Sequence, residues 1–153
     1  MTGKVIIRPA TPNDLPACAA IINDYIDDTP WLPRTISRGE IEALFNAKML
    51  EDRYFRVAEK GGEVGGYLSM DQSAGHIHAL YLAPGWRCKG AGKLLLDDAK
   101  KVGSKGLKLT VFEPNEHAKR FYEREGFGES VGERDDDTEE GVPTLMMRWE
   151  PSP

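Results

Sequence analysis

The stretch Leu80-Tyr81-Leu82-Ala83-Pro84-Gly85-Trp86-Arg87-Cys88-Lys89-Gly90-Ala91-Gly92-Lys93 organises the whole chain. An apolar strand stops at Pro84, a short basic loop follows, and Gly90 opens a helix in which Ala91, Leu94, Leu95, Ala99 and Val102 recur at helical spacing. A helix start exposes unpaired N–H groups and the positive end of the dipole, and glycines let backbone approach a phosphate with no Cβ in the way. Arg87, Lys89 and Lys93 add full charges, so the expected ligand is a phosphate or pyrophosphate. Two familiar phosphate loops do not fit. A P-loop ending at Gly92-Lys93 needs glycine where Arg87 stands and Ser or Thr where Leu94 stands, and a dinucleotide fingerprint starting at Gly90 needs glycine where Leu95 stands. Taken alone, Gly90-Ala91-Gly92 is equally compatible with an ordinary loop-to-helix junction.

Upstream, His76 to Leu82 (HIHALYL) follows a turn at Asp71 to Gly75, and Val64 to Met70 pairs back onto Tyr54 to Lys60 through Gly61-Gly62. This is an antiparallel meander. Before it, Val5 to Arg8 reads as a strand, and Thr11-Pro12-Asn13-Asp14 supplies a helix cap with proline at the first position. Leu15, Cys18, Ala19, Ile22 and Ile26 form one apolar stripe through about Asp28, which Thr29-Pro30-Trp31-Leu32-Pro33 interrupts. Ser37 with Glu40 repeats the capping signature ahead of a second helix carrying Ile41, Leu44, Phe45 and Met49. Downstream come a strand at Leu107 to Phe112, a helix from Asn115 to Glu125 closed by Gly126-Phe127, and strands at about Gly128 to Gly132 and Thr144 to Trp149. The expected order is β-α-α-β-β-β-α-β-α-β-β. That makes an α/β domain over residues 1–153, with a mixed sheet of about seven strands and about four helices.

With 153 residues, 40% of them apolar, the chain has enough material for one ordinary core. Its formal charge of −5 is local. Glu133 to Glu140 (ERDDDTEE) alone carries −5, within an expected acidic loop at residues 133–143, whereas Pro84 to Gly106 carries +4. No apolar run is long enough to span a bilayer, and the opening MTGKVIIRPATPND reaches Pro and Asp too early for a secretory signal, so a cytoplasmic protein with no membrane partner is expected. Cys18, Cys88 and the three histidines lack ligand spacing, which implies free thiols and no metal. The acidic balance argues against nucleic acid as a partner.

Two spaced blocks carry a family resemblance. Arg87-x-x-Gly90-x-Gly92 after an apolar strand resembles the Q/R-x-x-G-x-G/A signature of the GNAT superfamily of acyl-CoA N-acyltransferases. Leu109-Thr-Val-Phe-Glu-Pro-Asn115 followed by Ala118-x-x-Phe121-Tyr122-x-x-x-Gly126-Phe127 resembles that family's second signature. The resemblance implies the GNAT-like fold and an acetyl-CoA or related acyl-CoA co-substrate. Its pyrophosphate would lie on Arg87, Cys88, Lys89, Gly90, Ala91, Gly92 and Lys93, its pantetheine arm on the strand edge at Leu80, Tyr81 and Leu82, and Asn115 would bind that arm. Cys88 departs from the glycine that many relatives place there. A homodimer through sheet edges or the last strand is common among relatives.

Acyl transfer from a thioester to an amine needs a neutral nucleophile, a stabilised oxyanion and a proton for the departing thiolate. The resemblance makes Tyr122 the acid. Asn115 and Tyr122 lie two turns apart on one helix face, and a core role for Tyr122 beside Phe121 is the alternative. His76 and His78 share a strand face and resemble the histidine pair of arylalkylamine N-acetyltransferases, which makes them candidate bases, with a structural role within the sheet equally open. The acceptor site expected from the family lies between residues 25–34, with Tyr25, Asp28 and Trp31, and the acidic loop. Both are acidic, so a cationic small amine or basic peptide is the expected acceptor, although acidic runs are usually solvated. A noncatalytic acyl-CoA-binding or protein-interaction module, or transfer of a longer acyl group, is the alternative.

Overall fold

The computed structural model describes residues 4–87 and 89–151. Strand β1 (Ile6–Pro9) leads through a 3-10 turn (Pro12–Asp14) into helix α1 (Leu15–Asp28), then α2 (Arg38–Leu44), α3 (Ala47–Asp52), β2 (Tyr54–Lys60), β3 (Glu63–Asp71) and β4 (His76–Leu82). A second 3-10 turn (Pro84–Trp86), α4 (Ala91–Val102), β5 (Leu107–Phe112), α5 (Glu116–Arg124), β6 (Gly128–Asp135) and β7 (Thr144–Trp149) follow. The strands form one mixed sheet ordered β1-β2-β3-β4-β5-β7-β6, in which β4 and β5 pair in parallel and every other neighbouring pair is antiparallel.

Local chemistry explains most of these boundaries. Asp14 accepts from the Thr11 backbone N–H at 2.7 Å and from the Arg8 guanidinium at 2.7 Å, which ties the entry of α1 to β1. Ser37 and Glu40 form the reciprocal capping box at α2. The expected single second helix is two short ones, making five α-helices in place of about four. Phe45 leaves helical geometry, and Asn46 caps α3 by accepting from Met49 N at 3.2 Å. At the other end, β6 runs to Asp135, so the first acids of the expected acidic loop belong to a strand.

Two apolar clusters cover the sheet. Ile77, Leu95, Leu96, Leu107, Leu109, Val111, Tyr122, Phe127, Leu145 and Met147 pack beneath α4 and α5, and Cys18, Ile21, Phe55, Val57 and Tyr67 pack beneath α1. A fully buried side chain such as Leu95 or Leu96 contributes roughly 1.5–3 kcal/mol. The Cys18 thiol is free and fully buried, and burial pushes its pKa up to about 12.

The sheet is incomplete at its centre. β4 and β5 pair only at His76 with Lys108, where Lys108 N also donates to Gly75 O at 2.8 Å. Beyond that joint the facing edges, residues 78–82 and 109–112, have no ladder between them, so the strands form a V. Gly75 closes its base. It has a φ of +65°, and a Cβ there would stand 2.6 Å from the Gly106 carbonyl oxygen.

Candidate active site

The basic loop lies at the open end of the V. Gly90 takes a left-handed φ of +89° as the N-cap of α4, a conformation that favours glycine. Among the described residues the first backbone bond of the helix is Leu94 N to Gly90 O at 3.1 Å, and the N–H groups of Ala91, Gly92 and Lys93 have no partner there, as at the anion-binding start of a helix. Trp86 holds the preceding turn. Its indole lies flat on Gly65 of β3, where a Cβ would sit 1.8 Å from the ring, and its N–H points to Glu63 at 3.4 Å. Sequence patterning gave no hint of this wedge.

The charges around the loop are less free than their number implied. The Arg87 Nε donates to the Leu82 carbonyl oxygen at 3.3 Å, folding the guanidinium back along β4. Lys93 pairs with Glu125 at 3.0 Å and Asp97 at 3.4 Å, and Lys100 donates to the Glu125 carbonyl at 2.5 Å. Lys89 is exposed. Cys88, also expected to touch the pyrophosphate, lies outside the described residues. Backbone amides are thus the part of this candidate anion site that is already in place, whereas Arg87 and Lys93 are engaged with partners of their own.

A group of tyrosines lines the V. Tyr122 is 8% exposed, with Phe121 and Phe127 edge-on at 5.1 Å and 5.5 Å. Burial pushes its phenol well above the ordinary range, and Tyr81 and Tyr25 add to the effect. Among the described residues the hydroxyl has no hydrogen-bond partner. Asn115 uses both ends of its amide. Its Oδ1 caps α5 by accepting from Ala118 N at 3.1 Å, and its Nδ2 donates to the Tyr25 hydroxyl at 3.0 Å. Tyr25 in turn packs on Tyr81 at 5.0 Å, and Tyr81 on Tyr67 at 5.9 Å. The Tyr25–Asn115 bond joins residues 90 positions apart, and no sequence signal marks it. Leu80 and Leu82 pack into the α4 cluster on the opposite face from Tyr81.

His76 and His78 stand at the closed end of the V, with ring centroids 4.3 Å apart. The ladder passes from Met70–Ile77 to Ser69–Ala79, so His78 is the extra residue of a bulge. Desolvation lowers both imidazole pKa values, helped by Lys108 and Arg53 at His76 and by Arg53 and His76 at His78, so both rings are neutral at pH 7. Tyr81 lies three residues further along β4, about 10 Å away. The structure therefore brings Tyr25, Tyr81, Asn115 and Tyr122 together and sets the histidines one step below them.

At the mouth, Trp31 meets Phe112 edge-on at 5.7 Å. Asp28 is exposed and has no ion pair among the described residues, while Asp27 pairs with Arg34 at 2.8 Å and with Arg38. Glu133 forms a two-toothed bond with Arg148 at 2.8 and 2.9 Å, and Arg134 pairs with Glu113 and with Asp136 at 2.6 Å. Much of the acidic run is internally paired and pinned to β7 and β5. Glu140 is close enough to Tyr81 to help raise its phenol. Among the described residues, no helix is long and apolar enough to cross a membrane, and no group of His, Cys, Asp and Glu is placed to hold a metal ion.

A strand edge left open beside a helix N-terminus that follows R-x-x-G-x-G is the arrangement of one enzyme family, and the model of the acetyltransferase (GNAT) domain matches residues 33–151. The chain belongs to this family. As a GNAT acetyltransferase it is an acyl-CoA-dependent enzyme. It is 28% identical over 150 residues to an uncharacterized N-acetyltransferase in the pepI 3′ region of Lactobacillus delbrueckii subsp. lactis, covering 82% of this chain and 85% of that one. Its fold matches the apo form of YjaB from Escherichia coli with a TM-score of 0.76 and 25% identity, over 97% of this chain and 99% of that one. It also matches yncA from Salmonella typhimurium, solved with acetyl-CoA, with a TM-score of 0.72 and 23% identity over 98% of each.

Proposed function

We propose that this GNAT acetyltransferase moves an acetyl group from acetyl-CoA to a primary amine by direct attack in a ternary complex, and that the acceptor is a small amine or peptide terminus, cationic at neutral pH. The observation that carries this reading is the V between β4 and β5. One wall is an unpaired strand edge, one end is a free helix N-terminus, and a hydroxyl held by burial stands beside it. Acetyl-CoA, which yncA holds, fits that shape: its pyrophosphate on the amides of Ala91, Gly92 and Lys93, with Arg87 and Lys89 beside them, and its pantetheine added to the free edge at residues 80–82 as an extra strand. The Asn115 Nδ2, which donates to the Tyr25 hydroxyl at 3.0 Å, reaches the same arm by exchanging that partner.

Acetyl-CoA supplies an activated thioester; the side chains manage the protons. Tyr122, kept protonated by burial, donates to the departing sulfur. His78 and His76, kept neutral, accept the proton that the amine loses, directly or through water. Tyr25, Trp31 and Asp28 form the acceptor's entrance, where a cation meets a carboxylate and aromatic faces.

Thiol release from acetyl-CoA and longer acyl-CoAs, measured over a panel of amines and peptides, tests the reading. Acetyl transfer to an amine is expected, with kcat lowered about 10²-fold or more in Tyr122→Phe and the acid limb of the rate profile altered in His78→Ala. Unchanged turnover in a folded Tyr122→Phe removes the acid role. Tight binding of acetyl-CoA with no turnover on any amine makes the chain a binding module.

A further inference from the structure

Register across the sheet exposes a second charged feature on the face opposite α4 and α5. On β5, Leu107, Leu109 and Val111 are buried beneath those helices, whereas Lys108 and Phe112 are half-buried and Thr110 is exposed. On β7, Leu145 and Met147 are buried, whereas Thr144 and Met146 are half-buried and Arg148 is exposed. That alternation leaves the other side of β5 and β7 as an open floor. Paired residues share a face, so the floor has three rungs: Asp71, His76, Lys108 and Arg148; then Thr110 and Met146; then Phe112 and Thr144. From Lys108 to Phe112 is about 13 Å along the strand.

The two ends of this floor differ in charge. At the Phe112 end stand Trp31 and, by Tyr81 across the V, the carboxylate of Glu140. At the other end, Arg148 is already satisfied by Glu133, and the Asp71 carboxylate caps its own turn by accepting from Ser73 at 2.9 Å and Ala74 N at 3.2 Å. Lys108 and Arg53 remain. Neither makes an ion pair among the described residues, both are half-buried, and both stand close enough to His76 to act on its charge. The Glu133 carboxylate is near enough to feel Lys108, and Asp71 to feel the histidines, but Glu133 is held by Arg148 and Asp71 by its own turn. Two cations without a side-chain partner of their own, on a wall of the gap, make a receptor for an oxyanion.

We propose that Lys108, with Arg53, binds a carboxylate carried by the acceptor amine, so that the preferred substrates are dipolar: an amine and a carboxylate separated by a short apolar spacer. This rests on the acetyltransferase reading and adds the acceptor's second recognition point. The amine lies over the middle rung beside the V, and the spacer runs over Thr110 and Met146. Two residues of strand, about 7 Å, set its span.

Matched pairs test it: γ-aminobutyrate against butylamine, and ε-aminocaproate against hexylamine, each assayed by thiol release from acetyl-CoA. The wild type is expected to prefer the carboxylate-bearing partner by about fivefold or more in kcat/KM. Lys108→Ala is expected to abolish that preference while turnover of hexylamine and the melting temperature stay unchanged. Lys108→Glu is expected to turn the preference toward hexamethylenediamine. Equal rates within each wild-type pair, or a preference that survives in Lys108→Ala, overturn the proposal alone. Release of thiol with no amine at all overturns the acetyltransferase reading, and this proposal with it.

Discussion

Replacing Gly65 with alanine drives a methyl group into the face of Trp86. The added Cβ would lie 1.8 Å from two carbons of the indole and 2.3 Å from its nitrogen, whereas ordinary contact begins near 3.4 Å, so the ring must retreat by about 1.6 Å or tilt out. β3 cannot give way. It is a central strand held on both sides by long antiparallel ladders, whereas Trp86 ends a one-turn 3-10 segment. The displacement therefore passes to Arg87 and the loop that leads to the first amides of α4. Misplacing a binding group by about 1 Å is enough to lose roughly 10²-fold. The expected outcome for Gly65→Ala is a rise of at least about tenfold in the acetyl-CoA KM, with a stability loss of about 1–3 kcal/mol from overpacking. Acetyl-CoA titration, indole fluorescence and urea melts measure the three consequences. Gly85→Ala is the control, since a Cβ there meets nothing within 4 Å, and it is expected to bind like wild type. Trp86→Ala placed on top of Gly65→Ala is expected to cost less than the sum of the two changes, because the clash needs both groups. Wild-type acetyl-CoA affinity in Gly65→Ala, with altered indole emission, would refute the coupling of turn to anion site.

The remaining predictions concern stability and the tyrosine cluster. The Arg8 guanidinium holds the buried Asp14 carboxylate down at about 2 from an ordinary 3.8, so this pair stabilises the fold fully above about pH 4 and loses its contribution as pH falls toward 2. About 2 kcal/mol is expected to disappear over that window, and urea melts of Asp14→Asn are expected to show a correspondingly flatter acid limb. Tyr25→Phe and Asn115→Ala are expected to interact in a double-mutant cycle by about 1 kcal/mol, the worth of one hydrogen bond; strict additivity would mean that the 3.0 Å contact carries no energy.

Elements bounded by strong local signals were legible in the sequence. Gly61-Gly62, Pro84 and the capping residues mark where β2, β4 and α2 begin or end, because those residues act through their own φ angles and side chains. The second helix was misread because Ile41, Leu44, Phe45 and Met49 keep helical spacing across a break. Leu44 is in fact 54% exposed, and the cap at Asn46 decides the boundary. The turn at Pro84 and the helix start at Gly90 were legible for the same local reason, through proline and glycine. Pairing was not: the carboxylates that neutralise Lys93, Arg134 and Arg148 come from other elements, as does the Tyr25 hydroxyl that engages Asn115. The bulge at His78 was equally hidden, since it exists only relative to β3.

The single rung joining β4 to β5 also makes the fold thermodynamically unfinished. The backbone donors and acceptors of residues 78–82 and 109–112 that face each other across the V lack the partners a continuous sheet would give them, although the same strands are laddered to β3 and β7 on their other sides. A ligand that bridges the V acts as a removable strand, and its binding energy becomes part of the protein's own stability: about 2.7 kcal/mol at a hundredfold excess over Kd. An enzyme that binds its ligand across that gap is sturdiest while loaded and loosest between turnovers.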